Sequence, residues 1–72
     1  MKEMFVIAYE ELDDNYIPIP FSGVFITDAE SVLKTAEKYA EYSTILSVKI
    51  HKAKISEENG QVVPGELVKE VK

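Results

Sequence analysis

One amphipathic segment, residues Thr27 to Tyr42 (TDAESVLKTAEKYAEY), constrains the fold more than any other part of the chain. Thr27 and Glu30 have the S/T-x-x-E spacing of a capping box, in which each side chain accepts a hydrogen bond from the other residue's backbone N–H. Behind this cap, apolar residues recur at helical spacing and form one stripe: Ala29, Val32, Leu33, Ala36, Tyr39 and Ala40. The segment therefore predicts a helix that begins at Thr27 and packs on another element through one face.

Size and composition limit what can stabilise the chain. It has 72 residues, one histidine and no cysteine. Disulfides, thiolate nucleophiles and zinc–thiolate sites are excluded, and one imidazole cannot form a metal cluster. We expect no cofactor and a single domain over residues 1–63, followed by a C-terminal tail over residues 64–72. A chain this small buries only about 60% of its unfolded surface. Packing and self-association are therefore its expected supports.

The charge balance narrows the choice of partners. The net charge is −5, and all eight basic residues are lysines. Arginine is the side chain that makes bidentate hydrogen bonds to phosphate and guanine. Its absence therefore argues against nucleic acid as a partner. No apolar run approaches the ~20 residues that span a bilayer, and residues 1–9 lack the pattern of a signal peptide. We therefore expect a cytoplasmic protein without a membrane partner.

The first β-favouring run, Met4 to Tyr9, is apolar on both parities. A strand with one solvated face should alternate between apolar and polar residues, so this pattern predicts a central strand that is covered on both sides. One helix can cover only one side. The side that the helix leaves open is a candidate surface for a partner, and it carries the even-numbered residues Met4, Val6 and Ala8.

The second run, Tyr16 to Phe21, carries two prolines of the same parity, Pro18 and Pro20. N–H groups two residues apart point to the same edge of a strand, so both missing donors lie on one side. That pattern predicts an edge strand protected against further pairing. Ser22-Gly23 suggests a bulge or turn, after which Val24–Ile26 would continue as a short strand into the helix cap.

The run from Thr44 to Ile55 predicts the longest strand. Leu46, Val48 and Ile50 share one face, whereas Ala53 and Ile55 fall on the opposite parity. Because a period-2 pattern changes parity only when a strand ends or gains a residue, we expect a bulge near His51-Lys52.

The C-terminal part begins with a turn signal, Asn59-Gly60, a pair preferred where both central turn residues need positive φ. We expect Gln61–Val63 to return as a short strand that ends at Pro64. Residues 64–72 fit either a single helical turn or an edge strand, and the sequence leaves both open.

These elements together predict an α+β fold. Its core would be a small antiparallel sheet of three or four strands in ββαβ order with a C-terminal hairpin. One helix would pack across one face of the sheet. Because sequential strands tend to be neighbours and crossovers are right-handed, the N-terminal strand should lie in the interior of the sheet.

The charged clusters give two candidate sites. The turn Glu10–Asn15 holds four carboxylates, which could bind a hard cation. It lacks the alternating ligands, central glycine and terminal glutamate of a calcium loop, so a solvated turn is the preferred interpretation. Lys49, Lys52 and Lys54 with His51 form the only basic concentration, which either meets an anionic partner or protects a strand edge. Together with the open strand face, these clusters give the candidate interaction surface: Met4, Val6, Ala8, Glu10, Glu11, Asp13, Asp14, Lys49, His51 and Lys52.

The stretch FVIAYEELDDNYIPIPFSGVFITDAESVLKTAEKYA resembles the N-terminal domain of HicB-type antitoxins in its order of parts. Those domains have a strand, an acidic turn, a Y-x-x-x-x-P strand, a glycine, a capping threonine and an alanine-rich helix. The matching positions are Tyr16, Pro20, Gly23, Thr27 and Ala36. The family's D-L-P-G-C segment has no counterpart here. The resemblance implies an antitoxin-type domain by analogy of topology.

The sequence carries no phosphate loop, nucleophile elbow or paired catalytic carboxylates, and His51 has no positioned nucleophile beside it. We therefore expect a protein-binding module without catalytic activity, of the phage- or mobile-element-type accessory or inhibitor kind. The alternatives are a nucleic-acid-mimicking inhibitor that presents the acidic turn, and the antitoxin-type domain. We also expect a homodimer through the uncovered sheet face or an adjoining edge, unless Pro64–Val71 folds back over that face.

Overall fold

The computed structural model describes residues 2–72. The chain forms four strands and one helix in the order β1 (Glu3–Leu12), β2 (Pro18–Thr27), α1 (Ala29–Ala40), β3 (Ile45–Ile55) and β4 (Val62–Glu70). The strands make one sheet in the order β2-β1-β3-β4, and every neighbouring pair is antiparallel. The predicted α+β class is confirmed, and β1 lies in the interior of the sheet as expected.

Helix α1 carries the chain from β2 to β3 across β1. Since β2 and β3 are both antiparallel to β1, they run parallel to each other, which is why a crossover element is needed. The helix and one side of the sheet enclose the core. The shortest extent of the molecule is 15 Å, the thickness of a sheet with one helix layer. The core residues are Phe5, Ile7, Val32, Ala36, Ile45, Val48 and Ile50.

The predicted cap at Thr27 is wrong by one residue. Thr27 is the last residue of β2 and pairs with Glu3, so its backbone belongs to the sheet. Asp28 caps the helix instead, and its Oδ1 accepts from the backbone N–H of Ser31 at 2.7 Å. This hydrogen bond stabilises the carboxylate and holds the pKa of Asp28 below its ordinary value. The helix is also shorter than predicted, since it ends at Ala40.

A β-bulge in β3 changes which residues enter the core. Glu10 pairs with Ser47 but Glu11 pairs with Ile45, so Leu46 is an additional residue with no partner in β1. Ile45 therefore points into the core and is 4% exposed, whereas Leu46 is 45% exposed. The expectation that Leu46 shares the buried face with Val48 and Ile50 is wrong, because the bulge shifts the alternation by one residue.

The bulge expected near His51-Lys52 is not in β3. There, Val6 pairs with His51 and Phe5 with Lys52 without interruption. The register shifts at this level lie between β3 and β4, where His51 pairs with Leu67 but Ile50 pairs with Lys69. The extra residues therefore belong to β4. The apolar residues of β3 switch parity without a bulge because Val48 and Ile50 face the helix, whereas Ala53 and Ile55 face the opposite side of the sheet.

Strand β2 runs through Ser22-Gly23 without a bulge, so that expectation is wrong. Its edge position is confirmed by the sheet order. Leu12 donates its N–H to Thr44 O on the β3 side, at 2.9 Å. In an antiparallel ladder, the N–H and C=O of one residue point to the same side. Pro18, which pairs with Leu12, therefore faces its missing donor away from β1, and so does Pro20, as predicted.

The C-terminal segment is a strand. β4 passes through Pro64, which pairs with Ala53, so the expected stop at Pro64 is wrong. An edge strand accepts proline because only one side of it is paired. The turn before β4 places only Gly60 at positive φ, 70°, and Gly60 N–H donates to Ser56 O at 2.8 Å. It is therefore a four-residue loop rather than the two-residue Asn-Gly turn that the sequence suggested.

Candidate interaction face

The side of the sheet opposite α1 has no layer over it in residues 2–72. We call this side the open face. Its members alternate with the core residues, since Val6 and Ala8 flank the buried Ile7 along β1. The pairing registers place the following residues on it: Met4, Val6, Ala8, Glu10 and Leu12 from β1, Pro18, Pro20, Ser22, Val24 and Ile26 from β2, Ser47, Lys49, His51, Ala53 and Ile55 from β3, and Val62, Pro64, Leu67 and Glu70 from β4.

One half of the open face is apolar. Val24, Val6, His51 and Leu67 form a row across all four strands, and Ile26 pairs with Met4 beside it. Val6 lies at the centre and is 1% exposed, but the residues around it remain accessible: Met4 is 38%, Leu67 49%, Val24 50% and Ile26 67% exposed. A solvated sheet face normally carries polar residues at these positions. The apolar half thus has the composition of a surface that is covered by another molecule.

The other half of the open face, the polar half, carries hydroxyl and charged side chains, and Leu12 and Pro18 lie at its end. Ala8 pairs with Ser22 on one side and Lys49 on the other, and Lys49 pairs with Glu70. Ser47 Oγ donates to Glu10 Oε1 at 3.3 Å. The small side chain of Ala8 leaves a shallow open depression of about 380 Å³, whose rim includes Glu10, Pro20, Ser47, Lys49 and His51. This half can therefore offer both charge signs to a partner.

His51 is held by the neighbouring strand. Its Nδ1 lies 3.1 Å from the backbone carbonyl oxygen of Gly65 in β4. A carbonyl oxygen only accepts, so Nδ1 carries the proton and donates it. Gly65 is required at this position because a Cβ there would lie 2.8 Å from Lys52 O. The contact fixes the ring on the open face, between Val6 and Leu67.

Six of the ten residues of the predicted interaction surface share the open face: Met4, Val6, Ala8, Glu10, Lys49 and His51. Glu11 and Lys52 lie on the opposite side, since they pair with the core residues Ile45 and Phe5. Asp13 and Asp14 lie in the turn between β1 and β2, outside both strands.

The acidic turn is not one continuous charged surface. Asp13 Oδ1 accepts from the backbone N–H of Asn15 at 2.8 Å and of Ile17 at 2.9 Å, so this carboxylate stabilises the turn. Glu10 and Glu11 project to opposite sides of β1. Within residues 2–72, no group of three or more His, Asp or Glu side chains is placed to hold a metal ion.

The sequence reasoning missed the part of the open face that β2 and β4 contribute. Val24 and Ile26 share the parity of Pro18 and Pro20, and this signal could have placed them on the same side as Met4 and Val6. Leu67 was missed because the sequence left residues 64–72 as either helix or strand. Ile55, 54% exposed, was recognised as a change of parity but not as part of this surface.

A second concave region lies on the covered side, at the end of the helix. Tyr9 lies between the rings of Phe21 and Tyr39, with centroid distances of 5.4 and 5.1 Å. Partial burial, reinforced by Tyr39 and Glu11, raises the pKa of Tyr9 above its ordinary value. The shift moves this phenol further from ionisation at neutral pH, so the cluster is best explained as packing that closes the core under α1.

Comparisons with known proteins add no relative: no protein-family model, curated protein or solved structure matches the chain. The likeness to HicB-type antitoxin domains therefore rests on the order of elements and on the five residues given above. In the described part of the chain, α1 is the one α-helix, and it is too short and too polar to cross a membrane.

Proposed function

We propose that this protein is a small cytoplasmic protein-binding module without catalytic activity, and that the open face is its binding surface. The observation that carries the proposal is the apolar half of this face. With Ile55 at its end, this half has five large apolar residues that are between 38% and 67% exposed: Met4, Val24, Ile26, Ile55 and Leu67. No helix or loop in residues 2–72 covers them. Removing such a surface from water is the main driving force of protein association.

The occupant that fits this face is another protein with an apolar patch bordered by charges. Four strands about 4.8 Å apart and about 30 Å long present a flat area of roughly 600 Å². This is close to the ~800 Å² that each partner buries in a standard interface. The apolar rows would supply the contact area. Glu10 and Lys49 in the polar half would select a partner with complementary charges.

His51 supports binding rather than catalysis. Within residues 2–72, its ring hydrogen-bonds to a backbone carbonyl, and it neighbours Val6 and Leu67 rather than a nucleophile. A catalytic histidine needs a hydroxyl, thiol or positioned acid within hydrogen-bond reach. As part of a docking surface, the ring instead adds a flat, partly apolar area to the centre of the face.

Site-directed photo-crosslinking in the native host tests this proposal. A photoreactive residue at position 67 samples the apolar half, and the same residue at position 42 is the matched control, since Tyr42 is 62% exposed but lies outside the open face. We expect one crosslinked protein at position 67 that is absent at position 42 and disappears when Met4→Lys is added.

The purified crosslinked partner should then bind wild type at both 0.1 and 1 M NaCl, because an apolar contact resists salt. Crosslinks of equal strength at both positions would reject the open face as the binding surface. Loss of binding at 1 M NaCl would favour the acidic, nucleic-acid-mimicking alternative.

A further inference from the structure

The two edges of the sheet differ in how well they are protected. On β4, register shifts interrupt the pairing with β3, and Glu66, Lys69 and Glu70 place charges along the strand. Bulges and charges of this kind discourage pairing with another chain. Strand β2 is regular over its whole length. Its first part is blocked by Pro18 and Pro20, but the segment from Phe21 to Thr27 contains neither proline nor charge.

The direction of the backbone groups along β2 follows from the ladder. Asp13 N–H donates to Ile17 O at 3.0 Å, whereas Leu12 N–H donates to the β3 side. Odd-numbered residues of β2 therefore bond to β1, and even-numbered ones point to the free edge. Ser22, Val24 and Ile26 each direct an N–H and a C=O outward. Within residues 2–72, no strand lies beside these groups, because β2 is the terminal strand of the sheet.

We propose that a second copy of this chain pairs with β2, antiparallel and about a two-fold axis at Val24. In that register, Val24 faces Val24 of the second copy, and Ser22 faces its Ile26. Each hydrogen-bonded pair exchanges two bonds, so the three pairs would supply about six. A symmetric dimer requires a surface that is complementary to itself. This stretch of backbone meets the requirement because each outward N–H faces an outward C=O of the second copy.

The limits of the free segment fit this register. Pro20 lies four residues before Val24, and Asp28 lies four residues after it. The proline that lacks a donor would therefore lie opposite the residue at which the partner strand leaves the sheet to start its helix. At that position no backbone acceptor of the partner strand needs an N–H from Pro20. Registers centred before Val24 would place Pro20 opposite a strand residue that needs an N–H, and registers centred after Val24 would leave Ser22 without a strand partner.

The side chains also match. Gly23 would lie opposite Phe25 of the second copy, and glycine accommodates a large cross-strand neighbour. Within one chain, the Phe25 ring already lies over Gly23, 3.1 Å from where a Cβ would be. On the open face, Val24 and Ile26 of both copies would adjoin. The apolar halves would then become one strip across an eight-stranded sheet. This inference uses the edge of β2 rather than the binding surface proposed above, so either can fail alone.

Substitution of the outward N–H tests the proposal directly. Val24→Pro removes one donor on the free edge, with the same parity as Pro18 and Pro20, and leaves the bonds from β2 to β1 in place. Val24→Thr is the matched control because it keeps the N–H. Sedimentation equilibrium between about 5 and 200 μM should show a dimer for wild type and Val24→Thr, and a folded monomer of about 8 kDa for Val24→Pro. A wild-type monomer over this range, or a Val24→Pro dimer, would overturn the proposal.

Covalent trapping provides a test that does not depend on whether Val24→Pro folds. The chain has no cysteine, so Val24→Cys introduces one. Directly opposite residues in a hydrogen-bonded pair have Cα atoms about 5.5 Å apart, within the range that a disulfide spans. We expect mild oxidation to convert Val24→Cys to a disulfide dimer at least ten times faster than Leu67→Cys, whose residue lies on the opposite edge strand. Equal rates would contradict pairing about Val24.

Amide exchange distinguishes an edge dimer from a face-to-face dimer. In the edge dimer, the N–H groups of Ser22, Val24 and Ile26 are protected as the protein concentration rises, whereas those of Gly23 and Phe25 are protected at all concentrations by β1. A concentration-dependent dimer in which Ser22, Val24 and Ile26 exchange freely would show that the copies meet elsewhere.

Discussion

The two faces of the sheet are formed by alternate residues of the same strands, but only one of them is covered by the helix. Ile7 and Val6 are neighbours in β1, and they are 0% and 1% exposed. Ile7 lies in the core between the sheet and α1, with Val32 and Ala36 from the helix in the same cluster. Val6 is buried only within its own row of the open face, where Val24 and Leu67 remain about half exposed. The burial of one residue therefore does not show that its face is covered.

The first prediction tests the difference between the two faces with substitutions at the neighbouring residues Ile7 and Val6. Ile7→Ala should cost about 2–5 kcal/mol of unfolding free energy, because the cavity lies between two packed layers and cannot collapse freely. Val6→Ala should cost about 1.5 kcal/mol, the transfer free energy of two methylene equivalents, since neighbouring side chains and water can fill the space. Urea denaturation of both variants at low protein concentration provides the measurement. Equal losses would indicate that the open face is also covered in solution.

The second prediction concerns the bulge in β3. Ile45→Ala should cost about 2–4 kcal/mol because Ile45 is a core residue, whereas Leu46→Ala should cost less than about 1 kcal/mol because Leu46 is 45% exposed. Chemical denaturation of the pair tests the register directly. The reverse order of losses would mean that β3 alternates regularly from Leu46 onward and carries no bulge.

The sequence predicted the class of fold because its strongest patterns are local. The helical spacing of Val32 and Ala36, the two apolar parities of β1 and the prolines of β2 each follow from one element by itself. They were sufficient to give the α+β class, the edge position of β2 and the interior position of β1. The uncovered face followed as well, since one helix covers one side of a sheet.

What the sequence did not predict depends on pairing between strands. Whether Ile45 or Leu46 enters the core is decided by the register of β3 against β1, and no local pattern fixes it. The same reason explains Pro64, which is compatible with β4 only because β4 is an edge strand. For the candidate surface, the structure shows only placement. Its members in β1 and β3 lie on the open face, apart from Glu11 and Lys52, which lie on the covered side. The residues that β2 and β4 add to the rows could not be placed before the strand pairing was known.

The third prediction tests how the covering layer of the covered face is held in place. Asp28→Ala removes the helix cap and should lower the melting temperature by about 4–8 °C at pH 7, whereas Asp28→Asn keeps an acceptor and should lower it less. The pKa of Asp28 is lower in the folded protein than its ordinary value of 3.8. The contribution of its charge is therefore complete above about pH 4 and is lost as the pH falls through the lowered pKa, whereas the protonated carboxyl still offers an acceptor.

Thermal unfolding of wild type and Asp28→Ala between pH 7 and pH 2 measures this contribution. The difference between the two melting temperatures should shrink only at the acid end of the range. A constant difference down to pH 2 would show that the charge of Asp28 does not stabilise the helix. If Asp28→Ala left the melting temperature at pH 7 unchanged, Thr27 rather than Asp28 would be the cap.

The last prediction has the smallest effect and returns to the open face. Leu67→Ser should change the unfolding free energy of the monomer by no more than about 0.5 kcal/mol, because a half-exposed side chain on an edge strand loses little burial. Ile50→Ser is the matched change on the covered face, and it should cost several times more, since Ile50 is 2% exposed. Both residues belong to long strands of the same sheet, but β3 is an interior strand and β4 an edge strand, so the difference measures the covering layer and the edge position together. If Leu67→Ser cost more than about 1.5 kcal/mol, and if the loss grew with protein concentration, the open face would be occupied by a second copy rather than left for a different partner.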